Sequence, residues 1–215
     1  MFEVIKAVIF DLDGVITRTS KFHAVGWKAL ALMEDIELSD KEIRDLSGIG
    51  RVESLEIILG KKYTQDYIEV LKTSGKFYEL ANKKNTIYQK CLESLSEKDI
   101  LPGVEGLIRN LKEKGIKIAV ASSSKNTPLI LEKLGMDKVF EVVVHGGDIK
   151  KSKPDPEVFL LAAERLGIEP EFCLVIEDAA SGIQAAKNAE MKTIGVEEGL
   201  DADYIFINLE DVRVF

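Results

Sequence analysis

Two aspartates, Asp11 and Asp13, close an apolar run that reads Val8-Ile9-Phe10-Asp11-Leu12-Asp13-Gly14-Val15-Ile16-Thr17. Side chains alternate along an extended backbone, so both carboxylates can point one way while Leu12 points the other. Paired acids leaving a buried strand are costly unless a cation or a shared proton relieves them, and such pairs usually serve chemistry. An isolated pair could instead cap a turn with one acid and solvate the other. Three further places weigh against that plain reading: Ser122, Ser123 and Ser124, then Lys153, then Glu177 with Asp178, each near a strand-like run. Singly, they are turn serines, a loop lysine and acids favouring a helix dipole. Gathered at one sheet edge, four carboxylates would repel an anion unless a divalent cation joined them, and hard oxygen ligands select Mg²⁺. Mg²⁺ and Lys153 would offset the charge of a phosphoryl group, with serine hydroxyls and backbone amides supplying its hydrogen bonds. The chemistry predicted is phosphoryl transfer.

Regular alternation of helix and strand after Leu101-Pro102-Gly103 supplies the elements that would position these residues. Helices are predicted over 104–114, 129–134 and 182–188, and one opens with Asp155 as N-cap and Pro156 as first helical residue and stops at Gly167. Strands are predicted over 116–121, 139–144, 174–176, 193–196 and 204–207. This pattern implies an α/β fold, a doubly wound, mostly parallel sheet of Rossmann-like kind with helices on both faces. The first two strands are separated by helices at 20–34, 39–46, 51–59, 65–72 and 75–95, punctuated by Gly48, Gly50 and Gly60. Phe22, Trp27, Leu30 and Met33 would share one face of the first. So long an excursion exceeds what a crossover needs, which predicts an inserted α-helical cap domain over 17–96 and a core of 1–16 with 97–215. It leaves the sheet just after Asp13, so it is expected over the carboxyl ends of the strands as a lid. On composition, Lys83 and Lys84 belong to a solvated helix face, and His145 shows no partner.

The chain has 215 residues, 46% hydrophobic and 31% charged, with a formal net charge of −8. That balance suits a folded, soluble protein and argues against nucleic acid or an anionic membrane surface as main partner. Cys91 and Cys173 are far apart, which indicates neither a disulfide framework nor a zinc site. No signal peptide and no span of about 18 apolar residues is read, so a cytoplasmic protein, a monomer acting on a small molecule, is expected.

Asp11-Leu12-Asp13-Gly14-Val15-Ile16-Thr17, Ser122 after the second sheet strand, Lys153-Pro154 and Glu177-Asp178 resemble, in order, the four motifs of the haloacid dehalogenase superfamily. The resemblance covers the whole chain, cap included. It implies that Asp11 is a nucleophile forming an aspartyl-phosphate and Asp13 a general acid and base, with a pKa raised toward neutrality. It further implies that Asp11, the Asp13 carbonyl and Asp178 hold Mg²⁺ with Glu177 close by, and that Ser122 and Lys153 grip the phosphoryl group. Ser123 stands where the family commonly has alanine.

Phe22-His23 with Trp27-Lys28-Ala29-Leu30, Gly48-Ile49-Gly50-Arg51 with Glu53-Ser54-Leu55, Lys84-Asn85, and Ser122 to Asn126 are similar to the β-phosphoglucomutase family. The resemblance implies that Arg51, Ser124, Lys125 and Asn126 hold a second phosphate and that Trp27 and Asn85 belong to the substrate site. His23 and Lys84 would couple cap closure to Asp13, with Thr19 at the hinge. Arg18 departs from the family's usual Asp. The function implied is interconversion of β-glucose 1-phosphate and glucose 6-phosphate through a glucose 1,6-bisphosphate intermediate. A Mg²⁺-dependent phosphatase on sugar phosphates or other small phosphomonoesters would use the same core motifs, and a non-catalytic binding protein would be expected to have lost one of them.

Overall fold

Six short, largely buried runs pair side by side in parallel: β1 (Ala7–Phe10), β2 (Lys117–Ala121), β3 (Val142–Val144), β4 (Cys173–Glu177), β5 (Lys192–Gly195) and β6 (Tyr204–Ile205). The computed structural model describes residues 5–46 and 50–212. The strand order is β3-β2-β1-β4-β5-β6, so β1 lies at the centre and the order reverses between β1 and β4. In open α/β sheets that reversal opens a crevice beyond the carboxyl ends of the strands. The doubly wound α/β expectation is met, with every strand pairing among the described residues parallel.

Between the first two strands run α1 (Ser20–Met33), α2 (Asp40–Asp45), α3 (Arg51–Leu59), α4 (Gln65–Thr73) and α5 (Lys76–Leu92). The remaining helices, α6 (Val104–Glu113), α7 (Thr127–Lys133), α8 (Glu157–Leu166) and α9 (Ala180–Asn188), alternate with the later strands. The chain divides into two compact units, Met1–Arg18 with Leu95–Phe215, and Thr19–Ser94.

In the α/β unit, Ala7, Ile9, Ala119 and Val175 from the sheet bury against Val158, Phe159 and Ala162 of α8 and Ala185 and Ala186 of α9. Each fully buried large apolar side chain contributes about 1.5–3 kcal/mol. The unit is closed where the excursion leaves and returns: Thr17 Oγ1 donates to the Asp99 carbonyl at 2.9 Å, and the Leu101 N–H to the Ile16 carbonyl at 2.8 Å.

In the helical unit, Trp27, Leu30, Leu55, Leu59, Phe77 and Leu80 form a separate core. Ser39 and Glu42 make a reciprocal capping box that starts α2. The buried stripe of α1 is Gly26, Trp27, Leu30 and Ala31, whereas Met33 is 61% exposed. The predicted face is corrected there, because successive steps of three residues drift away from a helix of 3.6 residues per turn.

Several boundaries also differ from those read in the sequence. β3 begins at Val142 rather than 139, since Met136 to Phe140 form a turn in which the Val139 N–H donates to the Met136 carbonyl. β6 covers two residues. Pro156 is the boundary residue of α8, and Asp155 Oδ1 accepts the Glu157 N–H at 3.1 Å.

Candidate active site

Parallel register sets the first layer of the site. Phe10 lies opposite Val120 on one side and Ile176 on the other, so Asp11, Ala121 and Glu177 reach the sheet edge at one level. The Asp11 N–H donates to the Ile176 carbonyl at 2.9 Å, which keeps it extended and aims its carboxylate beyond the strand end. Lys153, in the loop before α8, sends Nζ to Asp11 Oδ1 at 2.5 Å and Glu177 Oε1 at 2.6 Å, with the Phe159 ring 4.7 Å away. Burial opposes the Lys153 charge, but the Asp11 and Glu177 carboxylates outweigh it and hold the ammonium above its usual range.

Glu177 anchors the cluster. Its second oxygen accepts the Asp178 and Ala179 N–H groups at 2.7 and 2.8 Å, so both oxygens are engaged within the protein. Sequence reasoning passed over the reason Gly182 stands in the first turn of α9. A Cβ there would come within 1.7 Å of Glu177 Oε1. A glycine five residues beyond a strand-end acid was the available signal. Gly14, at φ +91°, serves the other acid: it adopts a backbone that L side chains rarely take, and a Cβ would overlap Asp178 Oδ2.

Asp11, Glu177 and Asp178 offer carboxylate oxygens within 4.8 Å of one another. Burial pushes the Asp11 carboxyl up to about 7; Lys153 opposes this, while Glu177 and Asp13 add to it. Asp178 is pushed up to about 8 by burial and by the charges of Asp11, Glu177 and Asp13. Lys153 therefore undercompensates the group, and a hard divalent cation fits its all-oxygen donor set. Glu177 aims Lys153 through Oε1 and stays within the group of carboxylates that could hold an ion. Asp13 is half-buried, in a turn whose backbone bridges to Thr17, and acts on the cluster through its charge.

The strand β2 delivers the serines. Ser122 is 5% exposed; its N–H continues the pairing to the Val144 carbonyl at 3.1 Å, and its Oγ accepts the Ser124 N–H at 3.2 Å. Ser124 Oγ accepts the Asn126 N–H at 3.2 Å, and Ser123 Oγ lies 3.5 Å from the Lys153 N–H. Asn126 is buried and Lys125 exposed. The structure thus brings Asp11, Ser122, Ser123, Lys153, Glu177 and Asp178 to one edge of the α/β unit.

In the helical unit, Lys84 is 1% exposed, which corrects the expectation of a solvated lysine. Phe77, Leu80, Ala81, Lys84, Tyr88 and Leu92 form the buried stripe of α5, so its position on the helix carries Lys84 inward. Nζ lies 2.8 Å from His23 Nδ1, 4.5 Å from the Trp27 ring centre and 5.0 Å from that of Tyr88. Burial, then the Arg51 charge, brings the Lys84 pKa down to about 7. His23 is brought down to about 3 by burial, then Lys84, then Arg51, so its ring is neutral and Nδ1 can accept. Arg51, in the first turn of α3, donates from Nη2 to Asn85 Oδ1 at 2.8 Å. Tyr88 packs on His23 at 4.1 Å between ring centres and donates its hydroxyl to Thr19 Oγ1 at 3.0 Å. His23, Trp27, Lys84, Asn85, Arg51 and Thr19 therefore belong to one helical unit, while Gly48 and Ile49 of the same motif lie outside the described residues.

Two smaller readings change. His145 has partners: Nδ1 accepts the Gly147 N–H at 3.0 Å, and Asp148 Oδ2 lies 3.5 Å from Nε2. Arg18 reaches Glu197 only at 3.9 Å, with both side chains more than half exposed, an ion pair worth little in water.

The haloacid dehalogenase-like hydrolase family matches the chain over residues 5–190. The β-phosphoglucomutase of Bacillus subtilis (strain 168) is 42% identical over 97% of this chain and 92% of its own length. A phosphorylated carbohydrates phosphatase of Thermotoga maritima is 32% identical over 91% of this chain and 87% of its own. Among solved structures, a β-phosphoglucomutase from Clostridium difficile superposes with a TM-score of 0.86 at 35% identity, covering 98% of this chain and 94% of that one. No described helix is long and apolar enough to cross a membrane. With its strand-end carboxylates, its buried lysine and a match across most of its length, the chain belongs to the haloacid dehalogenase-like hydrolase family.

Proposed function

We propose that the chain is a phosphotransferase that interconverts β-glucose 1-phosphate and glucose 6-phosphate through an aspartyl-phosphate on Asp11 and a glucose 1,6-bisphosphate intermediate. The observation that carries this reading is a cationic site that simple phosphoester hydrolysis does not require: Arg51 on Asn85, beside Lys84 buried against His23 and Trp27. The 42% identity to the Bacillus subtilis β-phosphoglucomutase supports it, because that match spans both units.

Asp11 attacks phosphorus, and the bond to the leaving oxygen breaks as that oxygen takes a proton from Asp13. Lys153, fixed between Asp11 and Glu177, offsets charge on the transferring oxygens, and Ser122 orients them. Asp11, Asp178 and the Asp13 carbonyl would hold Mg²⁺, which supplies charge to the phosphoryl oxygens. When the phosphoryl group has come from the 1-position of the bisphosphate, glucose 6-phosphate leaves. In the second half-reaction the free 6-hydroxyl of an incoming β-glucose 1-phosphate gives its proton to Asp13 and attacks the aspartyl-phosphate, which frees Asp11 and forms the bisphosphate again. Arg51 with Ser124, Lys125 and Asn126 would hold the phosphate not being transferred, where the planar guanidinium suits bidentate binding. We further propose that Thr19–Ser94 acts as the cap, with His23, Lys84 and Thr19 coupling its closure to Asp13, and that the protein works as a cytoplasmic monomer.

The relation to the Thermotoga maritima phosphatase favours a second reading, in which water takes the phosphoryl group. Supplying Mg²⁺, β-glucose 1-phosphate and a trace of the 1,6-bisphosphate separates the two. The proposal expects glucose 6-phosphate with little free phosphate, and rapid phosphate release from many phosphomonoesters would overturn it.

A further inference from the structure

The segment between β3 and Lys153 is tied to residues 122–126 at both ends. At its start the Gly146 N–H donates to the Ser124 carbonyl at 3.1 Å. A Cβ on Gly146 would stand 2.1 Å from the Ser123 carbonyl oxygen and 3.1 Å from the Lys125 nitrogen. Both are main-chain atoms, which cannot rotate aside as a side chain would, so a larger residue must displace the loop. At its end the Lys153 N–H faces Ser123 Oγ at 3.5 Å. The turn that carries Gly146 is braced on α8. Asp148 Oδ2 accepts the His145 N–H at 2.9 Å, and Arg165 Nη2 donates to Asp148 Oδ1 at 3.0 Å. Hydrogen bonds from the Ser124 and Asn126 N–H groups to Ser122 and Ser124 Oγ hold residues 122–126 together, so a push at Ser123 is passed along the loop.

We propose that Gly146, braced by Asp148 and Arg165, is a positioning residue that seats residues 123–126 and so sets the affinity for the phosphate not being transferred. The inference rests on the assignment of Ser124, Lys125 and Asn126 in the proposed function. Ser122, assigned to the transferring group, is anchored separately by its own N–H on the Val144 carbonyl at 3.1 Å, so the effect of Gly146 falls on the residues after Ser122, and thus on substrate affinity rather than on formation of the aspartyl-phosphate.

The test uses the full chain and the variants Gly146→Ala and Asp148→Asn. Gly146→Ala is expected to shift the backbone amide resonances of Ser123, Ser124 and Lys125 and to raise KM for β-glucose 1-phosphate roughly tenfold. The rate at which acetyl phosphate phosphorylates Asp11 should change less than about threefold. Asp148→Asn keeps the glycine and loosens its brace, so it should move the same amides and KM in the same direction by less, and it decides the matter if Gly146→Ala does not fold. Unmoved amides in a folded variant, or equal losses with acetyl phosphate and the sugar phosphate, would overturn the proposal. A wild type that does not isomerise the sugar phosphate would refute the proposed function, while the amide shifts and acetyl phosphate rates would still decide the seating of the loop.

Discussion

Lys153 in the α/β unit and Lys84 in the helical unit are both buried lysines, yet their surroundings drive them in opposite directions. Lys153 lies between two carboxylates and is held above the usual lysine range. Lys84 lies against two aromatic rings and a neutral histidine, and burial with the nearby Arg51 charge brings it down to about 7. Burial disfavours the ammonium in both places, and the neighbouring charges decide the outcome. The α/β unit thereby keeps a permanent cation for a phosphoryl group. The helical unit holds one that gains or loses its proton near neutrality, suited to respond when an anion arrives. On the proposed function, the comparison separates chemistry from choice of acceptor: the first unit would make the aspartyl-phosphate, and the second would favour a sugar hydroxyl over water.

The comparison breaks most visibly at Asp11. Asp11→Asn is expected to lower isomerisation and phosphate release alike, by at least about 10⁴-fold, because no nucleophile remains. Retained activity in a phosphate-release assay would contradict the role of the α/β unit. A chelator should have the same effect, reversed by added Mg²⁺. Lys84→Ala should divide the two activities instead, with isomerisation falling roughly 100-fold and release of phosphate from the aspartyl-phosphate changing less than about threefold. Parallel losses would remove the distinction between the units.

Two stability measurements sharpen it further. Gly182→Ala is expected to cost about 1–3 kcal/mol in denaturant unfolding, since the new methyl displaces Glu177 from Lys153 and the two amides. Lys84→Met should have the smaller effect and the opposite sign. A lysine whose pKa falls from 10.5 in the unfolded chain to about 7 in the folded one binds fewer protons when folded throughout that interval. Stability therefore rises with pH between these values, and the full cost of burying the charge is felt below pH 7. Replacing Lys84 by Met should gain about 1–2 kcal/mol below pH 7, and the gain should shrink as pH approaches 10. A gain independent of pH would show that the Lys84 pKa is the same in the folded and unfolded chain, and so is not lowered by burial.

Much of the α/β unit was legible because each active residue stands where a strand ends, and strand ends follow from short apolar runs. Asp11, Ser122 and Glu177 could be placed at one edge before their register was known. Lys84 was harder to read, since lysine is usually solvated. Its spacing from Leu80, Ala81 and Tyr88 nevertheless marks the buried stripe, so periodicity carried the signal that residue type obscured. Gly182 lies five residues beyond Glu177, and His145 two and three residues before its partners Gly147 and Asp148, so these contacts are local in sequence but depend on turn geometry that residue type and periodicity do not contain. The bridge from Arg165 of α8 to Asp148, in the turn after β3, spans seventeen residues.

The most direct test of the division between chemistry and acceptor is the ratio of glucose 6-phosphate formed to phosphate released, measured for the wild type and Arg51→Ala under the same Mg²⁺ and 1,6-bisphosphate. The division predicts a ratio well above one for the wild type and at least a tenfold lower ratio for the variant, with Asp11 still phosphorylated by acetyl phosphate at a near wild-type rate. A ratio unchanged by Arg51→Ala, or a wild type that mainly releases phosphate, would contradict it.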